Sequence, residues 1–179
     1  MEIREDFKLD VVSVRLVRDA PIYSEKKING PEDAVRLLGE ELRDMDREVT
    51  CLVSLRTDGT PINCNFVSIG TLNYSLVHPR ELFKAAVLSN AQGILLVHNH
   101  ISGNLAPSAE DILLTDRLNR LCVMMGIPLH DHVIVGGDNL QYYSFRENSM
   151  IKQAEIHYAT DPGQIEWNCG RVAEKGRCR

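Results

Sequence analysis

Ile94-Leu95-Leu96-Val97 restricts the fold more than any other segment of these 179 residues. Four aliphatic residues in succession leave an extended chain without a polar face, so this strand must be buried on both sides. The chain also carries helices able to cover it. Gly30-Pro31 opens one, with proline at the first helical position and Glu32 and Asp33 near the positive end of the dipole. Ala34, Leu38, Leu42 and Met45 recur along it at helical spacing. His78-Pro79 starts a second helix, carrying Leu82, Phe83, Ala86 and Val87. Ser108-Ala109-Glu110-Asp111 is a capping sequence for a third, in which Ile112, Leu113, Leu121 and Met125 precede the stop at Gly126.

Elsewhere the apolar period falls to two. Val49, Cys51, Val53 and Leu55 share one face of a strand, Thr57-Asp58-Gly59-Thr60 turns, and Ile62 to Ile69 returns as a second strand. Leu9 to Arg18, with Val12, Val14 and Leu16 on one face, reads as a further strand, as do Val133 to Val135 and Leu140 to Phe145. Helices interleaved with a hairpin predict an α/β or α+β chain with one central mixed sheet and helices against it. After about Met150 the pattern decays. The expected organisation is an N-terminal strand and helix over 1–46, a core domain over 47–150, and a tail over 151–179 that docks as a helix or frays.

Charge narrows the function. Twenty Lys+Arg against 25 Asp+Glu give a net charge of −5, which disfavours a surface built to hold duplex DNA. The first six residues carry three acids and no apolar leader, and the longest aliphatic run is far short of the ~20 residues of a membrane span. Five cysteines are odd in number and include no C-x-x-C pair, so neither a zinc knuckle nor a redox motif is expected. Cys51, Cys64 and Cys122 read as small buried apolar residues. The cytoplasm is the expected compartment, with no membrane partner.

The chemistry concentrates just after the apolar strand. His98-Asn99-His100 places two imidazoles at i and i+2, on the same side of an extended chain. Ser108 and Asp111 follow in the first turn of a helix, after a loop containing Gly103 and Pro107 that can fold back over the strand end. Two nitrogens and a carboxylate oxygen make three ligands, the number a catalytic zinc uses while keeping a fourth position for water. Each feature alone has an ordinary explanation, since serine and acid at those positions cap any helix. The joint spacing H-x-H-x7-S-x2-D, in its strand–loop–helix setting, is what singles the group out.

That spacing resembles the signature of the JAMM (MPN+/JAB) zinc metalloproteases. Gly70-Thr71-Leu72-Asn73, Val77-His78-Pro79-Arg80-Glu81, His98-Asn99-His100-x-Ser102-Gly103 and Asp131-His132-Val133-Ile134-Val135-Gly136 look like the RadC-like branch of that family, from about Glu48 to Phe145. The resemblance implies an α/β, cytidine-deaminase-like JAB/MPN fold and a Zn2+ hydrolase of peptide or isopeptide bonds. Its metal ligands fall on His98, His100 and Asp111. It also implies a glutamate that acts as general acid/base through the metal's water, which maps to Glu48, and a serine that helps hold the oxyanion, which maps to Ser108. Ile101 stands where the branch usually has proline. The implied partner is a protein or peptide substrate, and a homodimer is compatible with the sequence.

The competing readings are weaker. Glu48 could instead be a solvated acid paired with Arg47 or Arg43, and Glu81 competes for the catalytic role but fits a first helical turn. His78 is expected to cap a helix, His130 and His132 to share a strand face in a structural or supporting role, and Asn99 to bond backbone or to support the ligands from behind. A DNA-repair-associated nucleic-acid-binding or nuclease module is the alternative function. The charge of −5 and the lack of a recognisable helix-hairpin-helix region weigh against it.

Overall fold

The computed structural model describes residues 27–69, 77–136 and 141–152, together with positions 13, 15–17, 19, 22 and 161. Along the chain these form α1 (Pro31–Arg43), β1 (Val49–Leu55), β2 (Pro61–Ile69), α2 (Pro79–Leu88), β3 (Gly93–His100), α3 (Ala109–Met125), β4 (Leu129–Gly136) and β5 (Gln141–Ser144). The strands make one sheet in the order β2-β1-β3-β4-β5. Only β3 and β4 run parallel, and α3 is the crossover that such a pair requires. The class is α/β, with a mixed five-stranded sheet flanked by helices, as expected.

Side-chain alternation explains how the helices divide between the two faces. Cys51, Val53, Leu95, Val97, Val133 and Val135 form one core with Ala34, Val35, Leu38 and Leu42 of α1. Leu52, Ile94 and Leu96 form the other with Leu82 and Ala86 of α2 and Leu118 and Cys122 of α3. β1 is buried along its whole length, as is all of β3 up to His100, so the apolar run does sit between two helical layers. Gly59 turns the β1–β2 hairpin with φ +81, and a side chain there would meet the Ile28 carbonyl at 2.7 Å. Only glycine suits both the conformation and the close approach.

Three expectations need correction. Among the described positions of the Leu9–Arg18 segment, residues 13 and 15–17 are not in a strand, and Leu16 and Val17 are exposed. The rest of that segment, like most of the tail, lies outside the described residues. In α3 the expected apolar stripe is not the buried one: Thr115, Leu118 and Cys122 face the sheet, whereas Ile112, Leu113 and Met125 are exposed. His130 and His132 do not share a face. Leu129 pairs with Ile94 and Asp131 with Leu95, so His130 is the extra residue of a bulge and turns outward. Of the cysteines, Cys51 and Cys122 are buried and Cys64 is half-buried. No described helix is long and apolar enough to cross a membrane.

Candidate metal centre

Alternation along β3 also decides where the histidines go. His98 and His100 have the parity of Ile94 and Leu96, so both face the α3 layer, while Asn99 faces the α1 layer. The chain then turns through 101–107 and enters α3 at Ser108. Gly103, with φ +70, closes a turn on the His100 carbonyl at 3.0 Å, and the Asn104 carbonyl faces His100 Nδ1 at 2.6 Å. The loop lies down on Gly136, the residue paired with His100: a Cβ there would be 2.8 Å from Leu105 Cδ2 and 3.2 Å from the Gly103 carbonyl oxygen. At the start of α3, Ser108 and Asp111 form a capping box. The Ser108 N–H donates to Asp111 Oδ2 at 2.8 Å, and the Asp111 N–H donates to Ser108 Oγ at 3.1 Å. Ordinary helix capping therefore delivers the carboxylate to the end of β3.

Two imidazole nitrogens and one carboxylate meet there. His98 Nε2 lies 2.9 Å from His100 Nε2. Asp111 Oδ1 is 3.3 Å from His98 Nε2, and Asp111 Oδ2 is 3.3 Å from His100 Nε2. Zinc bonds of about 2.0–2.2 Å in tetrahedral directions put neighbouring ligand atoms about 3.3–3.5 Å apart, a separation that both carboxylate contacts match, while the two imidazole nitrogens sit closer together. Among the described residues this is the one group of His, Cys, Asp or Glu side chains so arranged. Three protein ligands without a fourth fit a catalytic zinc site better than a structural one.

Electrostatics agree with the geometry. Burial pushes the His98 imidazole down to about 4, so the ring is neutral at neutral pH. Burial also acts to raise the Asp111 carboxyl, but the hydrogen bond to His100 and the bonds from Ser108 hold it well below the usual carboxylate range. His100 is raised, first by its hydrogen bond to Asp111 and in part by the charge of Glu48. A carboxylate that stays ionised beside two imidazoles favours a cation between them.

Glu48 immediately precedes β1. Thr50 pairs with His98 at the end of the ladder, and the antiparallel direction continued two residues further points Glu48 towards His100, whose imidazole its charge helps to raise. The residue is half-buried, and the arginines that might have claimed it bond elsewhere, Arg47 to Asp46 at 2.6 Å and Arg43 to Asp44 at 3.3 Å. Asn99 holds this segment: its Oδ1 accepts from Val49 N–H at 2.7 Å, and its Nδ2 donates to the Arg47 carbonyl at 3.0 Å. That matches the backbone-bonding role expected of it. Ser108 differs from expectation in one respect, because its hydroxyl proton is directed at Asp111 Oδ2 at 2.6 Å. Glu81 is bound by Lys84 at 2.6 Å in the first turn of α2, and His78 caps that helix by accepting from Arg80 N–H at 3.1 Å.

Behind the triad, His98 Nδ1 lies 2.8 Å from His132 Nε2, and His132 Nδ1 lies 2.6 Å from Thr115 Oγ1. Thr115 escaped the sequence reading. The signal available was a hydroxyl one turn after Asp111, at a helix position whose neighbours face the core. A cavity of about 480 Å3 opens at the opposite end of the sheet, lined by Leu55, Leu95, His130, Asp131 and Arg146 among others, and no residue of the triad borders it.

A family model for the RadC-like JAB domain matches residues 28–150. A UPF0758 protein of Desulfitobacterium hafniense is 46% identical over 124 residues, covering 69% of this chain and 54% of that protein. The UPF0758 protein of Desulforamulus reducens is 46% identical with the same coverage, and that of Chlorobium phaeovibrioides is 41% identical over 126 residues, 70% of this chain and 56% of its own length. The chain thus spans about half the length of the curated relatives it matches.

Proposed function

Given that the chain belongs to the RadC-like JAB domain family, we propose that it is a zinc-dependent hydrolase of peptide or isopeptide bonds. The observation that carries this reading is the triangle of His98, His100 and Asp111. Bound there, zinc would supply Lewis-acid polarisation of a carbonyl and a water acidic enough to attack it near neutral pH. The side chains supply the rest. Glu48, directed towards His100 by the β1–β3 register, takes the proton of the attacking water and returns it to the leaving amine. Ser108 keeps Asp111 oriented through its hydroxyl and backbone N–H, and can serve an oxyanion once that hydroxyl turns away from Oδ2. The substrate is a protein or peptide. The cytoplasm is the compartment that three free cysteines and no membrane-length helix among the described residues favour.

Metal analysis and a substrate trap on one pair of variants test the assignment. Purified chain should carry about one zinc per molecule. Glu48→Gln should keep that zinc, lose peptidase activity by at least about a hundredfold, and retain uncleaved substrate from a lysate. His98→Ala should lose both metal and activity. Full hydrolysis by Glu48→Gln would remove Glu48 from the mechanism, and an absence of zinc in the wild type would remove the mechanism itself.

A further inference from the structure

The hydrogen bonds behind the triad contain more information than their distances. Thr115 Oγ1 has two partners at 2.6 Å, the Asp111 carbonyl oxygen and His132 Nδ1. Two contacts that short need a proton in each, and a hydroxyl has one. The carbonyl can only accept, so the hydroxyl proton goes to it and the other contact must be filled by a proton on His132 Nδ1. His132 is fully buried, and its partners, Thr115, His98 and the Phe145 ring, include no carboxylate that could balance a charge, so it is a neutral ring. A neutral imidazole has a single N–H, so His132 Nε2 is bare and accepts from His98 Nδ1 at 2.8 Å. That places the His98 proton at Nδ1, and the proton that the 2.9 Å contact with His100 requires comes from His100 Nε2. The His98 Nε2 lone pair is then what faces His100 and Asp111.

We propose that His132 is a positioning residue: together with Thr115 it fixes the tautomer of His98, so that the bare Nε2 always points into the triad. The chain starts from the backbone of α3 at Asp111 and ends on β3 at His98, so one run of hydrogen bonds ties two of the three ligands to each other. A ligating histidine is usually held from behind by a carboxylate or a carbonyl. Here a second neutral imidazole does it, and adds no negative charge behind the site. The His132 ring is itself fixed by stacking on Phe145, with centroids 4.6 Å apart and planes 8° from parallel. The usefulness of this device for metal binding rests on the zinc reading above. The tautomer assignment does not.

Two measurements on the full chain separate these points. Long-range nitrogen–proton NMR of the metal-free protein should show His98 and His132 both protonated at Nδ1 and bare at Nε2. A His98 ring protonated at Nε2 would overturn the proposal. Zinc affinity, read by competition with a chelating dye, should fall about 10–100-fold in His132→Phe, which keeps the stacking but cannot accept from His98. His132→Gln, whose amide can accept from His98 and donate to Thr115, should recover most of that loss. Thr115→Val should leave His132 as a mixture of tautomers in the same spectra. Where the wild type binds zinc, equal affinity in a folded His132→Phe would overturn the proposal. If His132→Phe does not fold, the spectra of wild type and Thr115→Val still decide it. A wild type that binds no zinc yet shows the expected tautomers would sink the hydrolase reading and leave the relay standing.

Discussion

Asn99 spends both ends of its amide on the segment beside it, accepting from Val49 and donating to the carbonyl of Arg47. The residue between those two is Glu48, so the clamp fixes the backbone on either side of the proposed base. Its own side chain is buried and faces away from the metal ligands. Asn99→Ala removes two hydrogen bonds worth about 1 kcal/mol each and loosens the strand start. The expected outcome is a roughly tenfold or greater drop in kcat with zinc content unchanged, checked by kinetics alongside metal analysis. Loss of zinc instead would mean that Asn99 supports the ligands and not the base. At this scale the sequence was readable where spacing is local. His98, His100, Ser108 and Asp111 lie in one stretch, and strand and helix periods alone align them. The partnership of Asn99 with residues 47 and 49 spans the sheet, and only the strand register reveals it.

α3 shows why periodicity located a helix yet assigned its faces wrongly. The capping box at Ser108 and the left-handed Gly126 mark its ends, with φ +67 at the latter, and both signals are local. Its inward face is decided by the sheet it crosses. That sheet presents His132, so the helix buries the hydroxyl of Thr115 there and leaves Leu113 at 70% exposure. An apolar-stripe rule cannot anticipate a core position that calls for a polar partner. The consequence is measurable. Leu118→Ala should cost about 2–5 kcal/mol in a denaturant titration, whereas Leu113→Ala should stay within about 0.5 kcal/mol. The reverse order would mean that the exposed face of α3 is covered in solution. The strands were more legible, because Val49, Cys51, Val53 and Leu55 all face α1 as their alternation requires.

Across the whole molecule, the buried imidazoles set the response to acid. Burial lowers His98 to about 4 and lowers His132 as well, from 6.5 in an unperturbed ring. Below 6.5 the unfolded chain binds protons that the folded chain refuses, so the metal-free protein loses stability as pH falls from about 6.5 towards 4. Depressed Asp111 extends the loss to lower pH, as its ionised form is the one the fold stabilises. His100, raised by Asp111, and Asp131, raised by burial, work the other way, against the three lowered rings of His98, His130 and His132. Urea midpoints of the metal-free chain should therefore be lower at pH 5 than at pH 7.5, with a smaller difference in His132→Gln. A midpoint independent of pH would show that these rings are solvated.

The register of β1 against β3 has a further consequence. All three proposed ligands belong to one short stretch, 98–111, supported from behind by His132 and Gly136 of β4, and none of them comes from β1. The proposed base arrives from another part of the chain, and among the described residues sheet pairing and the Asn99 amide hold its backbone in place. Loading and arming are therefore separable. A chain whose first strand slipped from its neighbour would still capture the ion and would cleave nothing, so metal occupancy counts assembled centres while hydrolysis counts correctly paired sheets.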